Sequence, residues 1–453
     1  MLTMNFTEDT KNHLPLYRQL AEHFKKEIRL NHIAGNARLP SIRKLAAALN
    51  LSRTTVETAY SLLLAEGYIM SQPKRGYIAI NLAELPLSEN KPLRKQPQKP
   101  AVLYNFANNY IDIRTFNAAL WRRCINNALK EPENIATYGQ AQGEIKLREI
   151  LAKYSYEARG VIAAPEQIVI GAGVQSLLEI LIGILQPEHN RVGLEAPGFP
   201  QAERIFQDHD WQVETFAAEK IDEKLPSLLL VSPSNPYKGS TLSAEERLAL
   251  LYWAQHTEGL IIEDDYNGEF RYFARPIGAL QGLSGGDSVI YFGSFSRLLM
   301  PSLRISYMVL PPKLLSRYNA CAQLYNQTSS TIEQLALAEF IAGGHMRRHV
   351  RRLRKLYALK NTLLRAALTE IFGKLITVRS YASGLHIRLA IRANNTSEEL
   401  AALALAHGVR ILPIQAAAPQ AEPEILLSFA GINEDHIRPA LLLLKKAWFN
   451  QAK

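Results

Sequence analysis

Hydroxyl and guanidinium side chains near the start of the chain have the chemistry to bind phosphate. They fall at the predicted N-termini of two helices: Ser41, Arg43, Ser52, Arg53, Thr54 and Thr55. Such donors suit phosphate oxygens, because the free backbone N–H groups of a helix N-terminus point at the same ligand. Each serine also fits a simpler role as a helix cap. Arg75, in a basic turn between two predicted strands, adds a cation, and the whole set predicts binding to the DNA backbone.

The elements that must position these donors follow from the apolar pattern. Apolar residues recur at four-residue spacing between 16 and 28, which predicts one face of a helix. Ser41 begins a short second helix, and Ser52 begins a third one. Two short strands, 68–70 and 77–80, enclose the basic turn. This order is typical of a winged helix-turn-helix, in which the N-terminus of one helix faces the base edges. We therefore expect a DNA-binding domain over residues 1–80.

The positive charge of the chain is concentrated in the same region. The 453 residues carry a net charge of +10. Residues 1–100 hold fifteen lysines and arginines against eight aspartates and glutamates, a net of +7, whereas the rest hold 37 against 34, a net of +3. A basic unit joined to a nearly neutral one predicts a polyanion partner, although a solubilising surface would give the same balance.

Composition excludes several classes of protein. The apolar run 177–185 is interrupted by Glu179 and is far shorter than the roughly 20 residues of a membrane-spanning helix. The two cysteines, Cys124 and Cys321, provide neither a disulfide framework nor a multi-cysteine zinc site. Residues 1–11 lack the apolar core of a secretory signal. We therefore expect a cytoplasmic protein with no membrane partner and no metal.

A larger α/β unit follows a linker. Residues 81–103 hold four prolines and four lysines or arginines without periodicity, which is typical of an extended linker. Beyond it, short apolar segments alternate with helix-length ones, which predicts a mainly parallel sheet covered by helices on both faces. The predicted strands are 167–170, 191–194, 227–231, 260–262 and 288–292. From about residue 330 we expect a smaller C-terminal α+β subdomain, with strands near 384–391, 409–413 and 424–429.

Two sets of motifs resemble known families. Those that resemble the GntR-type winged helix are Pro15–Leu20, Arg38–Ala46 and Leu51–Val56. Those that resemble fold-type-I aminotransferases are Ala158–Val161, Pro197–Pro200, Glu263–Tyr266 and Pro301–Tyr307. In this order, nearly the whole chain resembles the MocR/GabR group of bacterial transcriptional regulators. The resemblance implies an aminotransferase class I-like domain over residues 104–453, a homodimer, and a double-stranded operator with paired half-sites.

The resemblance also implies a pocket for pyridoxal 5′-phosphate. The residues that match its ligands are Gly173, Val174, Gln175, Phe199, Asn235, Asp264, Tyr266, Ser294 and Arg304. By this match the helix start at 173–175, Ser294 and Arg304 hold the phosphate, and Asp264 pairs with the ring nitrogen. Phe199 stacks on the ring, while Asn235 and Tyr266 lie near its phenolic oxygen. A packing glycine at 173 and a core phenylalanine at 199 are the alternatives. Tyr138 matches a tyrosine that reaches the phosphate across the dimer.

Position 297 departs from the family pattern. The family reads Ser-Phe-Ser-Lys, with the lysine that forms the Schiff base, whereas this chain reads Ser294-Phe295-Ser296-Arg297. A guanidinium stays protonated and offers no primary amine. Arg304 remains in register, so an alignment slip does not restore a lysine, and Lys238 is the nearest alternative amine. Arg297 is left with three roles, which are pairing with Asp264, holding a phosphate, or binding a small anionic effector; drift of an unused pocket is the alternative.

These residues predict a DNA-binding regulator without catalytic residues. Its aminotransferase-like domain would serve dimerisation and the sensing of an effector or of pyridoxal phosphate, bound at most non-covalently. Residues 412–417 also lack an arginine to hold a substrate carboxylate. The competing hypothesis is a pyridoxal-phosphate-dependent aminotransferase with a tethered DNA-binding domain, which needs an amine in the site. The basic run 346–355 predicts a long connecting helix, with a second DNA contact as the alternative.

Overall fold

The chain divides into two units, residues 1–97 and residues 98–453. The computed structural model describes residues 14–81, 101–107, 110–185, 190–196, 198–235, 241–265, 267–272, 277–379, 384–414 and 422–449. The N-terminal unit has a hydrophobic core of its own, built from residues between Leu20 and Ala79.

Three helices and a hairpin form the N-terminal unit. They are α1 (Leu16–Arg29), α2 (Ile42–Leu49), α3 (Arg53–Ala65), β1 (Ile69–Gln72) and β2 (Gly76–Ala79). Phe24 of α1 and Tyr60 of α3 are buried and meet edge to face, with ring centroids 5.9 Å apart. Asn50 ends α2 in the left-handed conformation, with φ of 53°, which makes the tight connection to α3. The predicted winged helix-turn-helix is confirmed, although the strands lie slightly further into the turn than expected.

The second unit alternates helices with strands. Its helices are α4 (Ala118–Ala128), α5 (Glu133–Ala136), α6 (Ile145–Arg159), α7 (Val174–Ile184), α8 (Pro200–Asp208), α9 (Ala244–His256), α10 (Leu280–Leu283), α11 (Pro312–Cys321), α12 (Thr331–Ala342), α13 (His345–Phe372), α14 (Ser397–Ala406) and α15 (Glu434–Phe449). Its strands are β3 (Tyr104–Asn105), β4 (Ile168–Gly171), β5 (Arg191–Glu195), β6 (Gln212–Phe216), β7 (Leu228–Val231), β8 (Leu260–Asp264), β9 (Val289–Ser294), β10 (Ser306–Val309), β11 (Ile376–Val378), β12 (His386–Ile391), β13 (Val409–Arg410), β14 (Leu412–Ile414) and β15 (Glu424–Ser428).

Seven strands form the central sheet, in the order β4-β10-β9-β8-β7-β5-β6. β10 runs antiparallel to β4 and β9, and the other neighbouring pairs are parallel. β7 and β8 are buried along their whole length, as expected for parallel strands covered by helices on both faces. The mainly parallel α/β fold is therefore confirmed. Two strands of this sheet were not predicted: β6, an edge strand of mixed burial, and β10, which follows a polar motif.

The small subdomain contains a four-stranded antiparallel sheet in the order β11-β12-β15-β14. The first residues of the second unit are attached to this subdomain, because β3 pairs in parallel with β13. The N–H groups of Leu103 and Tyr104 donate to the carbonyl of Gly408 at 2.8 and 3.1 Å. The Phe106 carbonyl accepts from the N–H of Ser428 at 2.7 Å. Residues 103–106 are thus part of the small subdomain.

None of the described helices combines the length and the apolar character needed to cross a membrane. The described residues also hold no cluster of three or more histidine, cysteine, aspartate or glutamate side chains that would bind a metal ion.

Candidate functional site

The donors predicted to contact DNA divide into caps and exposed cations. Ser41 Oγ accepts from the N–H of Lys44 at 3.3 Å, and Ser52 Oγ accepts from the N–H of Thr55 at 3.1 Å. Both serines are therefore helix caps, which was the simpler alternative. The remaining members of the set that are exposed are Arg43, Arg53, Thr54 and Arg75, while Thr55 is half-buried. The guanidinium groups thus carry the charge that this set offers to a polyanion.

A cavity of about 510 Å³ lies at the carboxyl ends of β5, β7, β8 and β9, where α/β sheets bind ligands. Eight of the nine residues predicted to bind a cofactor line it, and Arg297 joins them: Gly173, Val174, Gln175, Phe199, Asn235, Asp264, Ser294 and Arg304. The ninth residue, Tyr266, lies outside the described residues, as does Lys238. Tyr138 is 92% exposed and is not among the described residues that line the cavity.

At one end of the cavity, Gly173 and Arg304 form a cradle. Gly173 precedes α7 with φ of 111°, a left-handed conformation that favours glycine. A Cβ at this position would collide with the Arg304 guanidinium. Arg304, itself at φ of 53°, donates from Nη2 to the carbonyl of Ala172 at 2.7 Å. The guanidinium therefore lies beside the free N–H groups of the first turn of α7, an arrangement that suits a phosphate.

Three further residues of the predicted set complete the walls. Ser294 Oγ lies 2.9 Å from Ser306 Oγ, at the junction of β9 and β10. Asn235 is buried, and its backbone N–H donates to the carbonyl of Ser232 at 3.0 Å in the turn after β7. Phe199 is half-buried and packs against the core while it also lines the cavity. The core alternative and the stacking hypothesis for Phe199 are thus compatible.

Three consecutive carboxylates at the end of β8 have three different surroundings. Glu263 accepts from the N–H groups that begin α10, at 2.8 and 3.0 Å. Asp265 accepts from Arg159 Nε at 2.6 Å and from the hydroxyl of Tyr291 at 2.8 Å. Asp264 lies between them, and its Oδ2 accepts from Ser232 Oγ at 3.5 Å. Of these three, Asp264 is the one that lines the cavity.

Arg159 supports this site from outside the cavity lining, and no role was predicted for it from the sequence. Its Nε and Nη2 both donate to Asp265, at 2.6 and 3.1 Å, and its Nη1 donates to the carbonyls of Gly268 and Ile277. The arginine is 5% exposed. It therefore fixes the loop after β8 and holds Asp264 in place. Its place in the Ala158–Val161 motif was the one feature of the sequence that pointed to it, because the partner carboxylate is 106 residues away.

Burial raises the pKa of Asp264 to about 7, with a further increase from the charge of Asp265. The folded protein holds this proton more tightly than the unfolded chain does. The free energy of unfolding therefore falls as the pH rises from 3.8, the usual pKa of the group, through 7. We therefore expect Asp264→Asn to raise the stability of the ligand-free protein by at least about 1 kcal/mol at pH 8. The gain should vanish near pH 4. Urea unfolding at both pH values measures it, with the exposed Asp208→Asn as the control; an equal effect at both pH values would contradict the burial of this charge.

Arg297 lies on the side of the cavity that faces the small subdomain. It is 5% exposed. Burial lowers the pKa of His386 to about 3, and the positive charge of Arg297 lowers that pKa further, which places the guanidinium near this residue of β12. Both Arg297 and Asp264 are described, and no ion pair within 4.0 Å joins them. The pairing with Asp264 considered above is therefore not present in this structure.

Comparison with known families matches both units. Residues 16–78 match the family of bacterial regulatory proteins, gntR family, and residues 105–442 match the aminotransferase class I and II family. Among solved structures, kynurenine aminotransferase from Pyrococcus horikoshii is similar, with a TM-score of 0.69 over 79% of this chain and 92% of that chain at 22% identity. A likeness at this identity shows the fold, that of the fold-type-I aminotransferases.

Two regulators are similar over nearly the whole length. The uncharacterized HTH-type transcriptional regulator YdeL of Bacillus subtilis is 38% identical over 450 residues, which cover 96% of this chain and 97% of that protein. The probable rhizopine catabolism regulatory protein MocR of Rhizobium meliloti is 30% identical over 463 residues, covering 96% and 94%. This chain belongs to the MocR family of HTH-type transcriptional regulators, in which a gntR-family helix-turn-helix domain is fused to an aminotransferase class I and II domain.

Proposed function

We propose that this regulator binds duplex DNA through the N-terminus of α3 and the tip of its hairpin. Arg53 and Thr54 open α3, the helix expected to enter the major groove, and Arg75 lies in the turn of the hairpin. Arg43, at the start of α2, is placed to contact a phosphate. The exposure of these three guanidinium groups is the observation that carries the proposal.

Replacing Arg53 by alanine is expected to weaken binding to the operator by about 1–3 kcal/mol, as for an arginine that reads a base edge. Arg43→Ala should weaken binding to all sequences and reduce the salt slope by about one, as for a phosphate contact. Fluorescence anisotropy across a salt series, on an operator selected from genomic fragments, measures both effects. Arg204→Ala, on the exposed face of α8 in the second unit, serves as the control. Unchanged affinity in both test variants would exclude this placement of the recognition helix.

We infer that the regulator acts as a homodimer on paired half-sites. A twofold axis gives two winged helices the same relation to two half-sites, so that the symmetry of the protein is matched by that of the operator. Several apolar side chains of the second unit are strongly exposed, among them Tyr138 at 92% and Leu324 at 85%. Their exposure supports an interface that would cover them in the dimer. Sedimentation velocity measures the oligomeric state directly, and a monomer on an operator with two half-sites would contradict the inference.

We propose that the cavity binds a small anionic effector, with non-covalent pyridoxal 5′-phosphate as the first candidate. The cradle of Gly173 and Arg304 fits the phosphate, Asp264 fits a protonated ring nitrogen, and Phe199 offers a flat face. When bound, this cofactor supplies an aldehyde that condenses with primary amines. Arg297 has no such amine, so the chemistry of the residue at this position does not fit covalent attachment.

The aminotransferase-like domain is accordingly proposed to sense a ligand without turnover. Binding of pyridoxal phosphate that is fully reversed by dialysis, with no added mass after borohydride reduction, is the expected result. Cofactor mass retained by the unmodified protein would contradict it. The competing hypothesis, a tethered aminotransferase, requires an amine such as Lys238 to reach the cavity.

A further inference from the structure

Apart from the phosphate cradle, the cavity has a second set of polar groups, which come from both subdomains. Arg297 comes from the large subdomain, while His386 and Ser428 come from the adjacent strands β12 and β15 of the small subdomain. All three are buried, with exposures of 5%, 8% and 3%. A ligand that reaches this wall therefore touches both subdomains at once.

The charge of this wall comes from Arg297. Burial lowers the pKa of His386 to about 3, so that the imidazole is neutral at physiological pH. Of the described residues that line the cavity, Arg297 and Arg304 are the two with a permanent positive charge. The two arginines have different neighbours, His386 for Arg297 and Gly173 for Arg304. The cavity thus offers two separate positions for negative charge.

Ser428 adds a hydroxyl to the same wall. Its Oγ is buried and has no hydrogen-bond partner among the described residues. Its backbone is fixed, because its N–H donates to the carbonyl of Phe106 at 2.7 Å. A buried hydroxyl without a partner is costly, and an oxyanion held next to Arg297 would supply that partner.

The acidic residues among the described lining, like Arg297, belong to the large subdomain, but they come from other strands. Asp264 ends β8, and Glu195 ends β5, where its Oε2 accepts from the N–H of Ser232 at 3.2 Å. A protonated ring nitrogen is favoured near Asp264 and disfavoured near Arg297. The polarity of the cavity therefore fixes the orientation of a ligand that carries both signs of charge.

From this arrangement we propose that the ligand is a phosphorylated pyridine with a second acidic group, a carboxylate, which binds between Arg297 and Ser428. The proposal rests on the proposed function of this cavity and names its ligand class. The phosphate lies in the cradle of Gly173 and Arg304, and the ring nitrogen faces Asp264. The carboxylate stands at the ring position that carries the aldehyde in pyridoxal phosphate, since residue 297 replaces the lysine that would meet that aldehyde.

Because the guanidinium and its neighbours are buried, the charge of this one substituent should control affinity. A carboxylate gains a charge-assisted, bidentate hydrogen bond to Arg297 in surroundings that exclude water. An alcohol accepts one hydrogen bond without bringing a negative charge, and an ammonium group meets a like charge. The same ring and phosphate are present in all three ligands, so differences between them report on this wall.

Titration calorimetry with three 5′-phosphates tests the order, using those of 4-pyridoxic acid, pyridoxine and pyridoxamine. We expect the acid to bind at least about tenfold more tightly than the alcohol, and the amine to bind most weakly. Arg297→Gln should weaken the binding of the acid and so remove the difference between acid and alcohol. Ser428→Ala should weaken the binding of the acid selectively.

Arg304→Gln should weaken all three ligands alike, and the exposed Arg204→Gln should change none of them. Equal affinities for acid and alcohol, or tightest binding of the amine, would overturn the carboxylate assignment while leaving the phosphate-binding cavity standing. Failure of all three ligands to bind a folded protein, as judged by its circular dichroism, would overturn both the assignment and the proposed function of the cavity.

Discussion

Replacing Arg297 by lysine should give a protein that retains pyridoxal 5′-phosphate through borohydride reduction, whereas the unmodified protein should lose it. The substitution places a primary amine in a cavity that keeps the phosphate cradle and Asp264. Burial favours the neutral, nucleophilic form of a lysine. The intact mass after reduction should rise by one cofactor per chain, and peptide mapping should locate the added mass at position 297.

Arg297→Gln is the matched control, because it removes the positive charge without supplying an amine. It should show no retained mass. Retention by the unmodified protein would direct attention to Lys238, and failure of the lysine variant would mean that the cavity does not hold the aldehyde within reach of position 297. Turnover should remain poor in the lysine variant, since the described residues that the small subdomain contributes to the cavity include no arginine to hold a substrate carboxylate. These residues are Phe106, His386, Leu412, Leu426 and Ser428.

Removing Arg159 should destabilise the second unit more than any surface substitution. The Arg159–Asp265 pair is almost completely buried, with side-chain exposures of 4% and 0%. Breaking such a pair leaves an uncompensated buried charge and costs about 3–5 kcal/mol. We therefore expect Arg159→Met to lower the free energy of unfolding by that amount. Urea unfolding of the ligand-free protein measures it.

The exposed pair Arg204–Asp208 provides the control for this substitution. Its side chains are 74% and 53% exposed, and such pairs contribute about 0–1 kcal/mol. Arg204→Met should therefore be nearly neutral. Equal losses in the two methionine variants would contradict the structural role assigned to Arg159.

Much of the fold and the convergence of the cavity residues followed from the sequence. Strand-end residues such as Asp264 and Ser294 belong to neighbouring parallel strands, whose carboxyl ends meet at one edge of the sheet. The resemblance to fold-type-I aminotransferases predicted this set, and the parallel sheet explains why its strand-end members meet. The role of Tyr266 stays a prediction, because the residue lies outside the described part of the chain.

Pairings between residues that are far apart in the sequence could not be predicted in this way. The link between Arg159 and Asp265 depends on the packing of α6 against the loop after β8, which no local pattern encodes. The strand β10 was also not predicted, since its apolar residues come directly after a polar motif. The sequence left several roles open for Arg297. The structure places it near His386 of the small subdomain, whose pKa its charge lowers.

The pairing of β3 with β13 has a mechanical consequence. Among the described residues, the segment 103–106 pairs with the small subdomain and not with the central sheet. It donates to the carbonyls of Gly408 and Arg410, and it borders the cavity at Phe106. If the small subdomain rotates relative to the large one, residues 103–106 must therefore move with it. A ligand bound between Arg297 and Ser428 would contact the strand to which this segment is attached, because the Ser428 N–H donates to the Phe106 carbonyl.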